Sequence, residues 1–475
     1  MRVTVIGTGY VGTVTGVCLA YLGHDVSCVD LDESKIHRLQ RGDVPIYEPF
    51  LAEFLPLASR NGKLEFTTDI AGAVAPSDVI FIAVGTPSLP SGEADLRYLE
   101  AAARSVGRAM DKHRYHVVVN KSTVPVGCGN LVDTLVREGL AETYGPDNVV
   151  RFGVASNPEF LREGSAIADS LFADRIVVGS EDERAIGILR DLYQPLVDQT
   201  FTPPPFLHRP SRLTRTPLVT TTVTSAEMIK YASNAFLAMK IGFANEIANI
   251  CERVGADVTE VVSGIGLDSR IGTAFLNAGI GWGGSCFGKD VRSLLHTAKE
   301  YGYCAKLLEV SLEVNSLQRQ LVIQKLQEKL YILKGRTIGL LGLAFKPNTD
   351  DLRDAPSLQI AERLLQLGAR VRVYDPIAMD TCKTQNPDLK ITYCQDALSV
   401  AEKADALVLV TEWPEFRDLH LPALVQRMSH AVMIDGRNHF SPEEARHAGF
   451  DYTGIGRALQ RPNGTPEHAE VVPIT

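Results

Sequence analysis

A glycine-rich turn near the amino terminus constrains the possible folds of this 475-residue chain most strongly. The β-branched run Arg2–Ile6 leads into Gly7-Thr8-Gly9-Tyr10-Val11-Gly12, and an amphipathic pattern continues to about Leu22. A second apolar run, Val26–Val29, ends at Asp30. A strand, a GxGxxG turn, a helix, a second strand and an acid together predict a dinucleotide-binding unit. The glycines permit the tight turn and the approach of a pyrophosphate to the helix N-terminus.

The acid at the end of the second strand indicates which dinucleotide would bind. Asp30 can accept hydrogen bonds from a ribose 2′-hydroxyl, and its charge would repel a 2′-phosphate. The sequence therefore favours NAD over NADP as the cofactor. The alternative is a glycine turn in an α/β unit that holds no ligand.

Strand and helix patterns go on alternating beyond this unit, which predicts a doubly wound sheet. The strand patterns at 78–84 and 116–119 are followed by the loops Gly85–Pro87 and Lys121–Gly127. Ligands of such sheets bind at the carboxyl ends of the strands. Three hydroxyl residues in these loops are therefore candidates for holding the cofactor or a water: Thr86, Ser122 and Thr123. Each could instead be a turn or helix-cap residue.

Two glutamates follow the next strand pattern. Glu159 and Glu163 lie four residues apart, so a helical turn would place both carboxylates on one face. Because this like-charge spacing costs stability, it indicates a functional pair, with a solvated surface pair as the alternative. The run Ile176–Gly179 is predicted to close the first domain, and the proline-rich residues 199–222 to form a long exposed loop.

A long helical pattern occupies the middle of the chain. Ser225 can cap a helix that continues to about Val254. Lys230 and Asn234 lie one turn apart in apolar surroundings, where a desolvated lysine and an amide can stabilise an oxyanion. The alternative is a surface ion pair between Glu227 and Lys230.

A cysteine among small residues follows, in Gly283-Gly284-Ser285-Cys286-Phe287-Gly288-Lys289-Asp290. Small residues let a ligand or another backbone segment come close. A nearby cation favours the thiolate, and a carboxylate beside a nucleophile can move protons or position water. These residues predict a catalytic Cys286 with Asp290 beside it, and a buried structural cysteine is the alternative.

The last third repeats the outline of the first. The strand pattern at 336–341 leads into the turn Gly342-Leu343-Ala344-Phe345-Lys346, and the next strand pattern again ends at an acid, Asp375. Because GxGxxG is missing, we predict a second Rossmann-like unit without a second NAD site. Lys346 and Arg437 follow strand patterns, at positions where cations can hold phosphates.

Composition limits the classes of partner. A net charge of −9 argues against nucleic acid or an anionic membrane surface, and no apolar run reaches the length of a membrane span. The eight cysteines are scattered without CxxC pairs or zinc spacing, so no metal site is predicted. This cysteine usage fits a reducing compartment, and the amino terminus opens directly into a strand pattern. We therefore expect a cytoplasmic protein.

Taken together, the motifs resemble those of the nucleotide-sugar 6-dehydrogenases, the UDP-glucose/GDP-mannose dehydrogenase family. The resemblance is collinear over about residues 1–457 and is carried by these segments: Gly7–Gly12, Gly85–Pro87, Ser122–Gly127, Asn157–Gly164, Lys230–Leu237, Gly283–Asp290 and Leu343–Lys346. It implies an α/β fold of two Rossmann-like doubly wound domains joined by a long central helix, which also forms a dimer interface. The predicted segments are an NAD-binding domain at 1–200, a central helical dimerisation and cysteine region at 223–332, a UDP-sugar-binding domain at 333–457, and a flexible tail at 458–475.

The resemblance also implies a reaction, in which UDP-glucose, two NAD⁺ and water give UDP-glucuronate and two NADH. The C6 alcohol would lose four electrons in two steps. The Cys286 thiolate would add to the aldehyde formed first as a thiohemiacetal, and the second oxidation would leave a thioester for water to hydrolyse.

The same resemblance implies roles for other candidate residues. Lys230 and Asn234 would stabilise the developing oxyanion, and Asp290 and Thr123 would act through an ordered water. Two further residues would assist acid–base steps, with their division of labour open: Glu159 and Glu163.

Binding residues are implied in the same way. The cofactor contacts would be Gly7, Gly9, Tyr10, Val11, Gly12, Asp30, Lys35, Thr86, Ser122, Thr123, Glu163, Lys289 and Arg353. The substrate contacts would be Phe160, Leu161, Arg162, Glu163, Lys230, Asn234, Arg270, Phe275, Leu276, Asn277, Gly279, Gly283, Phe345, Lys346 and Arg437. Arg270 would reach the substrate of the neighbouring subunit, which implies an obligate homodimer.

Three alternatives stay open on the sequence alone. The first is a sister dehydrogenase that acts on GDP-mannose or a UDP-N-acetylhexosamine. The second is a one-step hydroxyacid dehydrogenase, which shares the Rossmann domain and a Lys-xxx-Asn helix but needs no thiol, so Cys286 argues against it. The third is an inactive nucleotide-sugar sensor, against which the presence of every chemical residue argues.

Overall fold

The computed structural model describes residues 1–61, 64–89 and 91–457. The predicted flexible tail after Arg457 lies outside the described residues. The chain forms two compact units. The first unit comprises Met1–Ser233 with Arg292–Tyr303, and the second comprises Asn234–Val291 with the chain from Cys304 onward.

The first unit contains an eight-stranded sheet in the order β3-β2-β1-β4-β5-β6-β7-β8. Its strands are β1 (Arg2–Ile6), β2 (Asp25–Val29), β3 (Leu64–Thr67), β4 (Val79–Ile82), β5 (His116–Asn120), β6 (Phe152–Ser156), β7 (Ile176–Gly179) and β8 (Leu218–Thr221). Neighbouring strands pair in parallel except β6 and β7, which are antiparallel where Ser156 meets Gly179.

Both faces of this sheet are covered. The helices are α1 (Tyr10–Tyr21), α2 (Glu33–Gln40), α3 (Leu51–Asn61), α4 (Ile70–Val74), α5 (Arg97–Ala109), α6 (Cys128–Tyr144), α7 (Ala166–Leu171) and α8 (Glu183–Val197). Alternate side chains of β5 enter two separate apolar cores, with Val117 and Val119 in one and Val118 in the other. Burial on both faces explains why this strand is a continuous apolar run.

The second unit contains a six-stranded parallel sheet in the order β11-β10-β9-β12-β13-β14. Its strands are β9 (Thr337–Leu341), β10 (Arg370–Tyr374), β11 (Thr392–Tyr393), β12 (Ala406–Leu409), β13 (Val432–Asp435) and β14 (Asp451–Gly454). The remaining helices are α9 (Val223–Val254), α10 (Val258–Gly266), α11 (Phe287–Glu300), α12 (Lys306–Leu330), α13 (Pro356–Gln366), α14 (Met379–Gln385), α15 (Ala397–Ala401), α16 (Leu421–Arg427) and α17 (Pro442–His447), with a 3₁₀ turn at Pro414–Asp418.

The predicted fold class is confirmed. Two mainly parallel sheets repeat the β–glycine turn–helix–β outline, and the 32-residue helix α9 begins in the first unit and ends in the second. No helix among the described residues is both long and apolar enough to cross a membrane.

Three local expectations were wrong. Residues 199–222 are not a loop throughout, because Leu218–Thr221 forms β8 on the edge of the sheet, next to β7. Helix α9 starts before Ser225, since the Thr222 hydroxyl accepts the Ser225 backbone N–H at 3.2 Å. The segment from Glu159 to Glu163 is not helical, so the one-face argument for the two carboxylates fails.

The proline-rich stretch before β8 packs against the first unit through aromatic rings. Phe206 stacks on Phe50 with ring centroids 5.1 Å apart, and Phe201 stacks on Phe172 at 5.9 Å. Rings at irregular spacing carry no periodic signal, which is why the sequence suggested an exposed loop.

Candidate active site

The glycine turn after β1 leaves an open space at the N-terminus of α1. A Cβ on Gly7, whose φ is +98°, would lie 2.6 Å from the Ala83 carbonyl oxygen, and one on Gly12 would lie 1.8 Å from the Gly7 carbonyl oxygen. These two glycines are therefore required by the protein's own backbone. Gly9 is different, because nothing lies within 4 Å of its missing Cβ. A pyrophosphate can approach there, where the helix N-terminus offers N–H groups and a positive dipole end.

Asp30 completes this cradle and keeps room for a ligand. Its Oδ2 accepts the backbone N–H and the hydroxyl of Thr8, both at 2.8 Å, and Oδ1 accepts the Asp32 N–H at 3.1 Å. Burial opposes ionisation, but the Thr8 and Asp32 hydrogen bonds outweigh it and hold the pKa of Asp30 below its usual value. Lys35 Nζ lies 3.4 Å from Oδ2. The carboxylate is thus ionised, half-buried and able to accept a ribose hydroxyl.

The corresponding acid of the second unit has no such capacity. Asp375 is fully buried, and its Oδ2 accepts the N–H groups of Leu343 and Ala344 and the indole N–H of Trp413. Its Oδ1 accepts two further N–H groups, from Ile377 and Ala378. Five donors saturate the carboxylate, so a ribose has no acceptor to bind. The first unit is therefore the one that fits a dinucleotide.

The two hydroxyl-bearing loops at the strand ends are bonded to each other. The Thr86 hydroxyl donates to the Thr123 carbonyl at 2.6 Å, and the Ser122 hydroxyl donates to the Val84 carbonyl at 2.8 Å. These bonds hold the loop after β5 against the loop after β4, beside the glycine turn.

Lys230 and Glu159 form a buried ion pair in the first unit. Lys230 Nζ lies 2.8 Å from Glu159 Oε1 and donates to the Glu159 carbonyl at 2.6 Å. The other carboxylate oxygen accepts the Leu161 N–H at 2.9 Å. The Arg175 guanidinium lies 3.9 Å from the centre of the Phe160 ring, and Lys230 Nζ lies 5.6 Å from it. Lys230 is thus held by a carboxylate that a reacting group could displace.

The predicted alternative of a surface pair between Glu227 and Lys230 is wrong, because both side chains are buried. Glu227 accepts the N–H groups of Gly127 at 2.6 Å and Gly129 at 3.0 Å, at the start of α6. Burial raises the pKa of Glu227 to about 7, although these two N–H groups oppose the shift.

Cys286 lies at the start of α11 in the second unit. Its carbonyl accepts the Asp290 N–H at 2.8 Å, which is the first bond of the helix, so Cys286 occupies the N-cap position. The thiol is exposed, and its sulfur lies 3.5 Å from the Ser285 hydroxyl. A helix N-terminus favours negative charge, which suits a thiolate.

Asp290 connects two other candidates in the same unit. The carboxylate is buried, and Oδ2 accepts the Asn234 amide N–H at 2.5 Å. Lys289 Nζ lies 2.7 Å from Oδ1. Asn234 and Asp290 are therefore brought together, one turn of helix away from Cys286.

The glycines before Cys286 are required by contacts within the protein. A Cβ on Gly279 would lie 2.7 Å from the Gly436 carbonyl, one on Gly281 2.6 Å from Asn315 Oδ1, and one on Gly283 2.4 Å from the Asp354 carbonyl. A Cβ on Gly284, whose φ is +88°, would lie 2.7 Å from the Phe345 ring.

Side chains of α9 and α12 hold the same backbone in place. Asn245 Oδ1 accepts the Gly279 N–H at 2.8 Å, and Gln318 donates to the Gly279 carbonyl at 2.7 Å. Asn315 accepts the Trp282 N–H and donates to the Trp282 carbonyl, which also accepts from Arg319 at 2.6 Å. The backbone of this loop is therefore held by hydrogen bonds within the protein itself.

Most of the predicted cations already have partners. Arg437 is partly buried and donates to the carbonyls of Val410 at 2.8 Å and Gly281 at 2.9 Å, and desolvation lowers its pKa. Three others form bidentate pairs with nearby acids and extend outward: Arg162 with Asp169, Arg270 with Asp268, and Arg353 with Asp351. Lys346 Nζ lies 5.4 Å from the centre of the Phe345 ring.

The predicted site residues thus fall into two groups. The first unit holds Gly7, Gly9, Tyr10, Val11, Gly12, Asp30, Lys35, Thr86, Ser122, Thr123, Glu159, Phe160, Leu161, Arg162, Glu163 and Lys230. The second holds Asn234, Arg270, Phe275, Leu276, Asn277, Gly279, Gly283, Cys286, Lys289, Asp290, Phe345, Lys346, Arg353 and Arg437. Lys230 and Asn234, four residues apart in α9, belong to different groups.

Four buried polar residues of the first unit that hold this site were not among the predicted site residues: Glu48, Lys121, Asn157 and Glu227. Glu48 accepts the N–H groups of Gly164 at 2.6 Å and Ala166 at 2.7 Å and so holds the turn after Glu163. The available signal for Lys121 and Asn157 was their position directly after buried strands, where polar side chains carry function in doubly wound sheets.

Comparison with known proteins gives one consistent result. Three domains of the UDP-glucose/GDP-mannose dehydrogenase family match: the NAD binding domain at residues 1–197, the central domain at 224–317 and the UDP binding domain at 339–442. The chain is 48% identical over 460 residues to the UDP-glucose 6-dehydrogenase TuaD of Bacillus subtilis, covering 97% of this chain and 94% of that protein.

Two solved structures are also similar. A UDP-glucose dehydrogenase from Pyrobaculum islandicum is 42% identical with a TM-score of 0.84, over 96% of this chain and 98% of that one. A UDP-D-ManNAc dehydrogenase from Pyrococcus horikoshii is 28% identical with a TM-score of 0.80, over 96% of this chain and 99% of that one.

Proposed function

This chain belongs to the UDP-glucose/GDP-mannose dehydrogenase family, and we propose that it oxidises UDP-glucose to UDP-glucuronate with two NAD⁺. The family match and the open cradle at Gly9 and Asp30 support NAD as the cofactor. The matching UDP binding domain supports a UDP-sugar as the substrate. UDP-glucose is favoured because the relatives named for it are 42% and 48% identical, against 28% for the UDP-D-ManNAc dehydrogenase.

The observation that carries the four-electron reaction is the exposed Cys286 thiol at the N-cap of α11, with Asp290 one helical turn later. Oxidation of an alcohol to an aldehyde needs no thiol, but oxidation of the aldehyde is easier once a nucleophile has added to it. The Cys286 sulfur would form a bond to C6 and retain the aldehyde as a thiohemiacetal. Gly9 and Asp30 would hold NAD, which would supply the hydride acceptor for both oxidations. Water would then cleave the thioester and release the free thiol.

The proton steps are assigned to the Lys230–Glu159 pair of the first unit and to Asp290 with its partners in the second unit. In the first unit, Lys230 would leave Glu159 to donate to the substrate oxygen as negative charge develops there, and Glu159 would accept a proton from the attacking water. In the second unit, Asn234 would contribute to oxyanion stabilisation, while Asp290 holds Asn234 and would position the water. Thr123 would contribute to water binding, and Glu163 would contact substrate and cofactor.

The proposed function predicts a stoichiometry that tests the thiol step. Purified protein with UDP-glucose should form two NADH per UDP-glucuronate, and Cys286→Ser should abolish UDP-glucuronate formation while the protein remains folded. A measured ratio of one NADH per substrate would refute the thioester route. Cys304→Ser is the matched control, because Cys304 is also exposed but follows α11 and lies far in sequence from Asp290.

The alternative substrates differ from UDP-glucose in the sugar or in the base. GDP-mannose and a UDP-N-acetylhexosamine are the alternatives, and rates of NADH formation with each nucleotide sugar would separate them. A kcat/KM for GDP-mannose above that for UDP-glucose would contradict the proposal.

The scattered cysteines, seven of which carry no proposed chemistry, support a reducing cytoplasmic location.

We also propose a homodimer in which α9 forms the interface. Within the second unit, Phe236, Phe243 and Ile250 are exposed and recur every seven residues along α9, so they form one apolar stripe. A stripe of this kind is unfavourable in water unless a second copy covers it. The exposed Arg270 side chain, paired with Asp268, would then extend to the substrate of the neighbouring subunit.

A further inference from the structure

The loop that carries Thr123 begins with a lysine that the proposed chemistry does not use. Lys121 follows β5 directly, and its side chain is buried inside the first unit. Nζ donates to Asn157 Oδ1 at 2.9 Å and to the Asn157 carbonyl at 3.3 Å. Within the described residues, Lys121 forms no ion pair. A buried ammonium without a directly bonded carboxylate is costly, so its presence needs a reason.

The partner of Lys121 is itself fixed from two other sides. Asn157 Nδ2 donates to the Val177 carbonyl of β7 at 2.7 Å, and the Tyr193 hydroxyl of α8 donates to Asn157 Oδ1 at 2.6 Å. Asn157 lies two residues before Glu159, in the extended turn after β6. Lys121 therefore anchors the turn that presents the Glu159 carboxylate to Lys230.

Charge links the same residues. Burial lowers the pKa of Lys121 to about 8, an effect that the nearby Glu159 opposes and the nearby Lys230 increases. Lys121 also lines a cavity of about 80 Å³ between the sheet and the helices that cover it. The titratable and charged groups that face this cavity come from every surrounding element: Cys18 of α1, Glu159 after β6, Asp169 of α7, Arg175 before β7 and Tyr193 of α8.

We propose that Lys121 is a positioning residue, whose ammonium holds the Asn157–Glu159 turn and supplies a second positive charge beside Glu159. With Lys230 alone, the buried Glu159–Lys230 pair at 2.8 Å would be strong and slow to open. A second cation shares the charge of the carboxylate, so Lys230 is released more readily to the developing oxyanion. This inference rests on the proposed dehydrogenase reaction and adds a residue to it.

The test is the pH dependence of kcat for Lys121→Met, which keeps the length of the side chain but removes its charge. Loss of a neighbouring cation makes the remaining acid–base groups hold their protons to higher pH. We expect kcat at pH 7.5 to fall at least 10-fold, the kcat–pH profile to move up by about one pH unit, and the KM for UDP-glucose to change less than threefold. Lys121→Arg should restore the position of the profile.

Two further variants separate charge from packing. Tyr193→Phe removes the other hydrogen bond to Asn157 Oδ1 without changing any charge, so its profile should stay at the wild-type position. Asn157→Asp places a carboxylate against Lys121 at nearly constant volume and should move the profile in the same direction as Lys121→Met, even if the methionine variant does not fold. An unmoved profile in Lys121→Met or Asn157→Asp, or an equal shift in Tyr193→Phe, would overturn the proposal. Wild-type turnover of UDP-glucose is measured in parallel, so a failure of the proposed function is recognised separately.

Discussion

Gly284 offers the sharpest test of why glycine precedes Cys286. Its φ is +88°, a region that costs an alanine about 1–2 kcal/mol. A Cβ there would also lie 2.7, 2.8 and 3.0 Å from three carbons of the Phe345 ring, and overpacking of this kind costs about 1–3 kcal/mol. Gly284→Ala should therefore lower the free energy of unfolding by about 2–5 kcal/mol.

Two other glycines of the same unit are matched controls. Gly272 has a φ of +70° with nothing within 4 Å of its missing Cβ, so Gly272→Ala should cost only the conformational term of about 1–2 kcal/mol. Gly264 lies inside α10 in open space, so Gly264→Ala should stabilise the protein by about 0.5–1 kcal/mol.

Thermal unfolding of the apoprotein measures this series. One kcal/mol corresponds to roughly 2–4 °C in a unit of this size, so Gly284→Ala should melt about 4–20 °C below the wild type. The expected order of Tm is Gly264→Ala, wild type, Gly272→Ala, Gly284→Ala. Because no ligand is present, a deficit in Gly284→Ala reports packing within the protein. If Gly284→Ala melts with Gly272→Ala and loses only substrate affinity, the glycine serves the ligand and our reasoning is wrong.

Three further predictions follow from single contacts. Asp30→Ala removes the acceptor for the ribose and should raise the KM for NAD about 10–100-fold, as expected for a lost hydrogen bond to a charged group, with little change in the KM for UDP-glucose. Glu227 has a folded-state pKa raised to about 7 from 4.5, so its stabilising contribution is present below pH 4.5 and is lost as the pH rises through 7. The Tm of the wild type relative to Glu227→Gln should therefore fall between pH 5 and 8, by the equivalent of about 3 kcal/mol. A constant difference in Tm would show that the Gly127 and Gly129 N–H groups keep the carboxylate ionised. Phe243→Glu places a charge in the exposed stripe of α9 and should convert a dimer into monomers in light scattering, an outcome that Tyr331→Glu, at an exposed site after α12, should not produce.

The second Rossmann-like unit closely resembles the cofactor turn of the first unit in sequence but differs from it in the partners of its acid. Gly342 has a φ of +99°, almost equal to the +98° of Gly7, and both precede an acid at the end of the next strand. The difference is made by Trp413 and by the turn after Asp375, whose N–H groups fill the acceptor positions that Asp30 keeps available. Missing glycines predict the absence of an NAD site here, and the five donors to Asp375 favour the same interpretation.

Local patterns in the sequence determined the elements and much of the chemistry of this protein. Strand, glycine turn and helix follow from backbone sterics and apolar periodicity over a few residues, which is why β1 and α1 were predicted nearly to the residue and the end of the long α9 was placed correctly at Val254. The candidates Asp30, Lys230 and Cys286 were found because their neighbours in sequence predict a dinucleotide-binding turn, an apolar helix and a loop of small residues around a cysteine.

Only the tertiary structure decided which partner each polar group has. Lys230 pairs with Glu159, 71 residues earlier in the chain, and Glu227 holds the start of α6, about 100 residues earlier. Burial makes such pairs obligatory, since an unpaired polar group in the interior costs several kcal/mol, yet nothing in a local pattern specifies which distant group will satisfy it. The same holds for Lys121 and Asn157, and for β8, whose strand exists because the edge of β7 is there to pair with it.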